Sequence, residues 1–240
     1  AYTLLIDGEA PFDEATSLTL DSRWTMSGTF DQDRYGNEVV TMPQKDMGVL
    51  QCRMMGKAGL YSRGMGVFLS AGSHEITVIC REGPFTLLGF RLAPEIKPEA
   101  EAVEGKMQGS RIITLQAERV PARNNPNIRP AADYDIRLTP YSSQEKVINY
   151  IEDVSYRYGA DELMYDFSVE EEGFYALALR MRQAELPNFP VFRTFYVDGK
   201  IPSVAFLDAP FAYCLNFENQ TVKDDHGEPA LVFLTAGEHT

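Results

Sequence analysis

A signature of nine residues occurs twice along this chain, so any fold must accommodate the same local structure at two places. Thr3-Leu4-Leu5-Ile6-Asp7-Gly8-Glu9-Ala10-Pro11 returns as Thr194-Phe195-Tyr196-Val197-Asp198-Gly199-Lys200-Ile201-Pro202, an offset of 191 (194 − 3) that also carries Asp33 and Gly36 onto Asp224 and Gly227. Val67-Phe68-Leu69-Ser70-Ala71-Gly72-Ser73-His74 returns as Val232-Phe233-Leu234-Thr235-Ala236-Gly237-Glu238-His239, at an offset of 165 (232 − 67). The drop of 26 between the offsets (191 − 165) falls where the first occurrence has 30 residues, 37 to 66, and the second has four, 228 to 231. Two diverged occurrences differing in one loop length predict tandem modules. The modules are cut differently: six residues precede the first Asp-Gly, whereas the second has a long stretch back to about Arg111. The chain therefore reads as the later half of a first module (1–96), a linker (97–110) and a second module (111–240) without its last strands, all belonging to a longer protein.

Hydrophobic periodicity predicts strands. Leu163, Tyr165, Phe167 and Val169 alternate with Met164, Asp166, Ser168 and Glu170, the pattern of a half-buried strand. After the turn at Glu171-Glu172-Gly173, Tyr175, Leu177, Leu179 and Met181 face inward, and hairpin logic pairs the two segments. Further strands are expected at 67–69, 75–80, 87–92, 112–117, 194–197 and 231–234. Residues 145–152 could form a short helix or an extended segment. Short strands separated by Gly, Pro, Asn and Asp clusters define an all-β, antiparallel sandwich. Residues 94–110 are charged, contain Pro and Gly and lack large apolar side chains, which suits a linker.

Composition narrows the function. A net charge of −13 lacks the clustered Lys and Arg that displace counterions from a phosphate backbone, so nucleic acid is not an expected partner. No apolar run approaches the length of about 18 residues that a membrane span requires. Cys52, Cys80 and Cys214 form no CxxC pair; Cys80 falls in the apolar alternation with Ile76 and Val78 and reads as a buried thiol, while a Cys52–Cys80 bridge is left open. Asp31, Asp33 and Gly36 fit a calcium loop, but Tyr35 and Met42 stand at two of its oxygen-ligand positions, so the segment reads as a turn. His226 alone is too little for zinc. No nucleophile elbow, phosphate loop or His-Glu-x-x-His motif occurs, and the chain reads as non-catalytic.

Leu115-Gln116-Ala117-Glu118, the run Gly173-Phe174-Tyr175-Ala176-Leu177-Ala178-Leu179-Arg180, the strand ending in Asp198-Gly199 and the turn Leu234-Thr235-Ala236-Gly237-Glu238-His239 together resemble galactose-binding-like jelly rolls, which include family 6 and family 35 carbohydrate-binding modules. The order matches across about 111–240, and residues 1–94 resemble the later half of a sister module. With Ile-Asp-Gly-x-x-Pro-Phe-x-Glu-Ala at 6–15, the pair is similar to jelly-roll regions in large extracellular solute-binding proteins of Gram-positive ABC transporters. The resemblance implies a non-catalytic protein, extracellular or at the cell surface, whose partners are an oligosaccharide or polysaccharide and the remaining domains of its parent chain. It also implies a structural calcium with Glu118 as ligand, although Gln116 replaces the earlier Glu of the family pattern. Sugar sites of such modules place an aromatic ring under a pyranose, with amides and charges on its hydroxyls. A millimolar site needs only about 4 kcal/mol. The candidates are Asn149, Tyr150, Tyr156 and Tyr158 in the second module and Trp24 in the first. The alternative expectation is a structural module that docks its parent's solute-binding domain or a partner subunit and has no ligand.

Overall fold

The computed structural model describes residues 1–56, 64–83, 85–94, 97–100, 102 and 109–240. Every paired strand is antiparallel, and the longest helical segment among the described residues is the four-residue 3-10 turn Asp13–Thr16. The protein is all-β and sandwich-like. In the first sheet, Tyr2–Ile6 is flanked by Leu18–Thr19 and by Ile76–Cys80, with Met55–Gly56 outside Leu18–Thr19. Its register with Ile76–Cys80 runs from Tyr2↔Cys80 to Ile6↔Ile76. Tyr2, Leu4, Ala15 and Leu18 form a buried cluster against which Phe12, Met54, Ile76 and Val78 pack. Burial pushes the Tyr2 phenol up to about 12.

A second core holds Phe206, Ala209, Phe211, Val222 and Ala230, with Leu177, Leu179 and Met181 packed on it as the alternation predicts. The hairpin expected around Glu171 does not form. Phe167–Val169 pairs with Gly237–His239, Gly173–Ala176 with Leu231–Leu234, and Ala178–Gln183 with Cys214–Thr221. Three consecutive acidic residues disfavour a tight hairpin by mutual repulsion, and the segments on either side diverge to different partners, an arch of the kind sandwiches use.

The structure also departs from several expected strands. Residues 67–69, 87–92 and 112–117 join no sheet, and Phe68, Leu88, Phe90, Leu92 and Ile112 are exposed. A strand needs a neighbour's backbone as well as an apolar pattern, and these segments find none among the described residues. Residues 194–197 contribute only the isolated Val197↔Lys200 bridge, and 145–152 is extended, with Tyr150–Ile151 pairing Pro130–Ala131. All three cysteines are free thiols. Cys80 is exposed rather than buried, because the apolar contacts of its strand end at Ile76 and Val78. The proposed linker falls in large part on 101 and 103–108, outside the described residues. Across it, Trp24–Thr25 pairs with Gln44–Lys45 on one side and Ala122–Arg123 on the other, and Ala122–Arg123 pairs in turn with Leu163–Met164. Glu38 reinforces this contact, its backbone N–H donating to Lys146 O at 2.8 Å and its Oε2 accepting from Ile148 N at 2.6 Å.

The repeated signature builds the same corner twice. His74 Nδ1 donates to Asp7 Oδ2 at 2.7 Å and Nε2 to Ser70 O at 2.9 Å; His239 donates to Asp198 Oδ2 at 2.7 Å and to Thr235 O at 2.8 Å. Glu75 N donates to Asp7 Oδ1 at 2.8 Å, as Thr240 N does to Asp198 Oδ1 at 3.0 Å. Both ring nitrogens face pure acceptors, so both donate only when the imidazole is charged. Both histidines are accordingly raised above their ordinary value, His74 chiefly by Asp7 and His239 chiefly by the Thr235 carbonyl. The second shared turn recurs too, with Gly36 N donating to Asp33 O at 3.0 Å and Gly227 N to Asp224 O at 3.1 Å.

Candidate functional site

The second core opens onto a cleft of about 2740 Å³, lined by residues of both sides of the linker, and five of the six candidate residues lie in its wall: Glu118, Asn149, Tyr150, Tyr156 and Tyr158. Trp24 is outside it, in the sheet that joins the two parts. The wall does not leave these five equally available. Asn149 is 5% exposed and braces its own surroundings, donating from Nδ2 to Asp133 O and Pro140 O and accepting Asp133 N at Oδ1. Tyr150 packs edge-on against Phe217, with ring centroids 6.0 Å apart. Arg193 lies 4.9 Å over the Tyr156 ring, and burial raises that phenol. Tyr158 is the open one, 62% exposed with Arg157 5.3 Å over its ring.

Glu118 is 1% exposed, at the 3-10 turn Ala117–Arg119. Burial raises its carboxyl, Oε1 has no hydrogen-bond partner, and the Arg119 guanidinium lies 3.9 Å from it. Calcium takes six to eight oxygen ligands and favours ionised carboxylates. Among the described residues no group of three or more His, Cys, Asp or Glu side chains gathers to hold a metal. A buried carboxyl held toward neutrality beside a guanidinium does not fit a calcium site.

A smaller pocket of about 380 Å³ shares residues with the cleft and has the scale of a ligand site. Its walls come from four distant segments: Thr19, Leu20 and Asp21; Met55 and Gly56; Asn124, Asn125 and Pro126; Gly159, Ala160 and Asp161. Asn124 ties three of them together, its Nδ2 donating to Ala160 O at 2.6 Å and Asp21 Oδ2 at 3.3 Å, while its Oδ1 accepts Glu162 N at 2.8 Å. Asn125 Nδ2 donates to Asp161 Oδ1 at 2.8 Å, and Tyr158 N to Asp161 Oδ2 at 3.1 Å. Ala160 sits at φ 65°, a strained conformation outside glycine, so the turn is held by these bonds. The carboxylates of Asp21 and Asp161 retain lone pairs that can accept hydroxyl protons.

Beside the pocket, Arg53 stacks 3.7 Å over Tyr196 and pairs with Glu162 at 3.1 Å. Burial raises Glu162 despite that cation. Sequence reasoning did not find Asp21, Asp161, Arg53 or the two asparagines. The one available signal was Asn124-Asn125-Pro126-Asn127, a polar turn cluster with no hydrophobic periodicity.

In comparisons with known proteins, the chain matches no family model, no curated protein sequence and no solved structure.

Proposed function

We propose that the chain is a non-catalytic, carbohydrate-binding region of an extracellular bacterial protein, made of two galactose-binding-like jelly-roll modules with the first one partial, and that it aids glycan capture or uptake. The observation that carries this reading is the polar pocket, where Asp21 and Asp161 offer acceptors for sugar hydroxyls while the exposed ring of Tyr158 stands on the adjoining turn. The recurrence of the Asp-His corner supports reading the chain as two modules. Such a site has few contacts, so millimolar affinity is the scale expected.

Isothermal titration against a panel of plant and host oligosaccharides tests it. Weak heats without released reducing sugar are expected, and Tyr158→Ala or Asp21→Asn weakens binding several-fold without changing the melting temperature. Turnover of any glycan assigns an enzyme instead. Silence at millimolar glycan favours the second reading, a structural module docking its parent's solute-binding domain or a partner subunit. The exposed apolar residues Leu87, Leu88, Phe90 and Leu92 support that second reading.

A further inference from the structure

The pocket of about 380 Å³ lies across the joint between the two parts of the chain: Asp21 and Met55 come from before the linker, Asn124 and Asp161 from after it. Neither part holds the whole pocket. Asp21 and Asp161 thus stand on walls contributed by different parts, and the lining contains no Lys, Arg or His. Bringing these walls together places two carboxylates in one cavity, where like charges repel. The rest of the joint is narrow. Trp24–Thr25 meets Ala122–Arg123 over two residues, and the Arg53–Glu162 pair beside the pocket has side chains 38% and 43% exposed, a setting in which ion pairs contribute little. Arg123 is 1% exposed, with Nη2 against Met26 Sδ at 3.0 Å across the joint and Nε without a hydrogen-bond partner, so docking buries a cation that is only partly satisfied.

We infer that the pocket is a composite site and that the glycan bound there clamps the two parts of the chain together, so that occupancy and docking are linked. The clamp rests on the glycan reading of the pocket and adds a consequence to it. A sugar that touches both walls is released when they separate, and it therefore stabilises only the docked arrangement. The walls set its chemistry. A glycan segment with hydroxyl donors on two opposite edges gives one to Asp21 and one to Asp161, replacing their repulsion with two charge-assisted hydrogen bonds. Asn124 positions both walls for this, its Nδ2 donating to Asp21 Oδ2 at 3.3 Å across the joint and to Ala160 O at 2.6 Å within its own part.

The probes are oligosaccharides of the same panel, among them cellohexaose, xylohexaose, mannohexaose and lacto-N-tetraose, added to the full chain and followed by titration calorimetry and amide hydrogen exchange. The amides to watch are those of Met26 and Glu38, which donate across the joint to Pro121 O at 3.1 Å and Lys146 O at 2.8 Å and do not line the pocket. With the best-bound oligosaccharide at about ten times its Kd, exchange at both should slow about tenfold, since every opening of the joint must first lose the sugar. In Asp21→Asn, which binds more weakly, the same concentration should slow them less. Binding that leaves these two amides unchanged, or that protects only 124–126 and 159–161, overturns the clamp and leaves the glycan reading standing. Silence from the whole panel at millimolar concentration overturns both.

Discussion

The Asp7–His74 and Asp198–His239 corners keep the same polar bonds while the apolar side chains beneath them trade places. Under the first corner, Leu4, Ala15 and Leu18 are buried; the offset of 191 puts Phe195, Phe206 and Ala209 at the same positions under the second. Bulk removed from the Leu18 position reappears at the Ala15 position, as a packed interior requires when total volume must be held. Directional bonds permit one geometry, so the corner is copied; apolar contacts need only fill space, so the core is rearranged. The polar frame rather than the core identifies the two regions as equivalent.

The largest expected effect breaks that compensation. Phe206→Ala removes a side chain 1% exposed and should cost about 3–5 kcal/mol. The reciprocal Ala15→Phe overfills the first core and should cost about 1–3 kcal/mol. Adding Leu18→Ala to Ala15→Phe recreates the second core's arrangement, and urea denaturation should show the double variant more stable than Ala15→Phe alone. A double variant that is less stable would mean the two cores are not interchangeable.

The corners themselves differ in burial, and the next effect scales with it. The His239 side chain is 7% exposed and stacks on Phe167 at 5.5 Å, whereas the His74 side chain is 19% exposed. His239→Ala should cost about 1–3 kcal/mol through lost charge-assisted bonds and stacking, and His74→Ala less. Acidity sharpens this. Each histidine is raised above its ordinary 6.5, so its contribution is complete below that pH and declines as pH climbs through the higher folded value. Asp7 and Asp198 are lowered from 3.8, chiefly by His74 and by Thr240 N respectively, so theirs is present above that pH and is lost as pH falls through the depressed value. The corners are strongest between those limits. Melting temperature should fall from pH 6 to pH 9, and less so in His74→Gln/His239→Gln.

The offsets in the sequence put Asp7 and Asp198, and His74 and His239, at equivalent positions, because a tight polar turn is encoded by adjacent residues; the hydrogen bonds that join each Asp to its distant His were not legible there. Ile76–Cys80 was legible from its alternation and Leu231–Leu234 was expected as a short strand of apolar residues, for the same local reason. The pairing of Phe167–Val169 with Gly237–His239 was not, since alternation states which face is buried and not which strand lies alongside. The pocket was hidden for a related cause: Asp21, Asn124 and Asp161 are far apart in the chain and carry no shared pattern. Asn149 and Tyr156 stood as sugar-site candidates because sequence records residue type and not the carbonyls, or the arginine, that claim them in the fold.

The two Asp-Gly turns should respond alike. Gly8 at φ 84° and Gly199 at φ 74° have open space where a Cβ would sit, so only backbone strain opposes alanine. Gly8→Ala and Gly199→Ala should each cost about 1 kcal/mol. A difference between them much beyond about 0.5 kcal/mol in chemical denaturation would show that the turns are under different tension.

The smallest effect separates two apolar segments that look alike in sequence. Ile76, Val78 and Cys80 alternate just as Leu88, Phe90 and Leu92 do, yet Ile76 and Val78 pack on the first core while Leu88 is 72% and Phe90 52% exposed. Val78→Asp places a charge against buried Tyr2 and Leu4 and should be strongly destabilising. Leu88→Lys/Phe90→Lys replaces side chains already in water and should change unfolding free energy by no more than about 0.5 kcal/mol. The same double lysine variant should reduce binding of a hydrophobic dye, since it removes part of an exposed apolar run. A loss well above about 1 kcal/mol would place Leu88 and Phe90 in a packed strand and make the two segments equivalent after all.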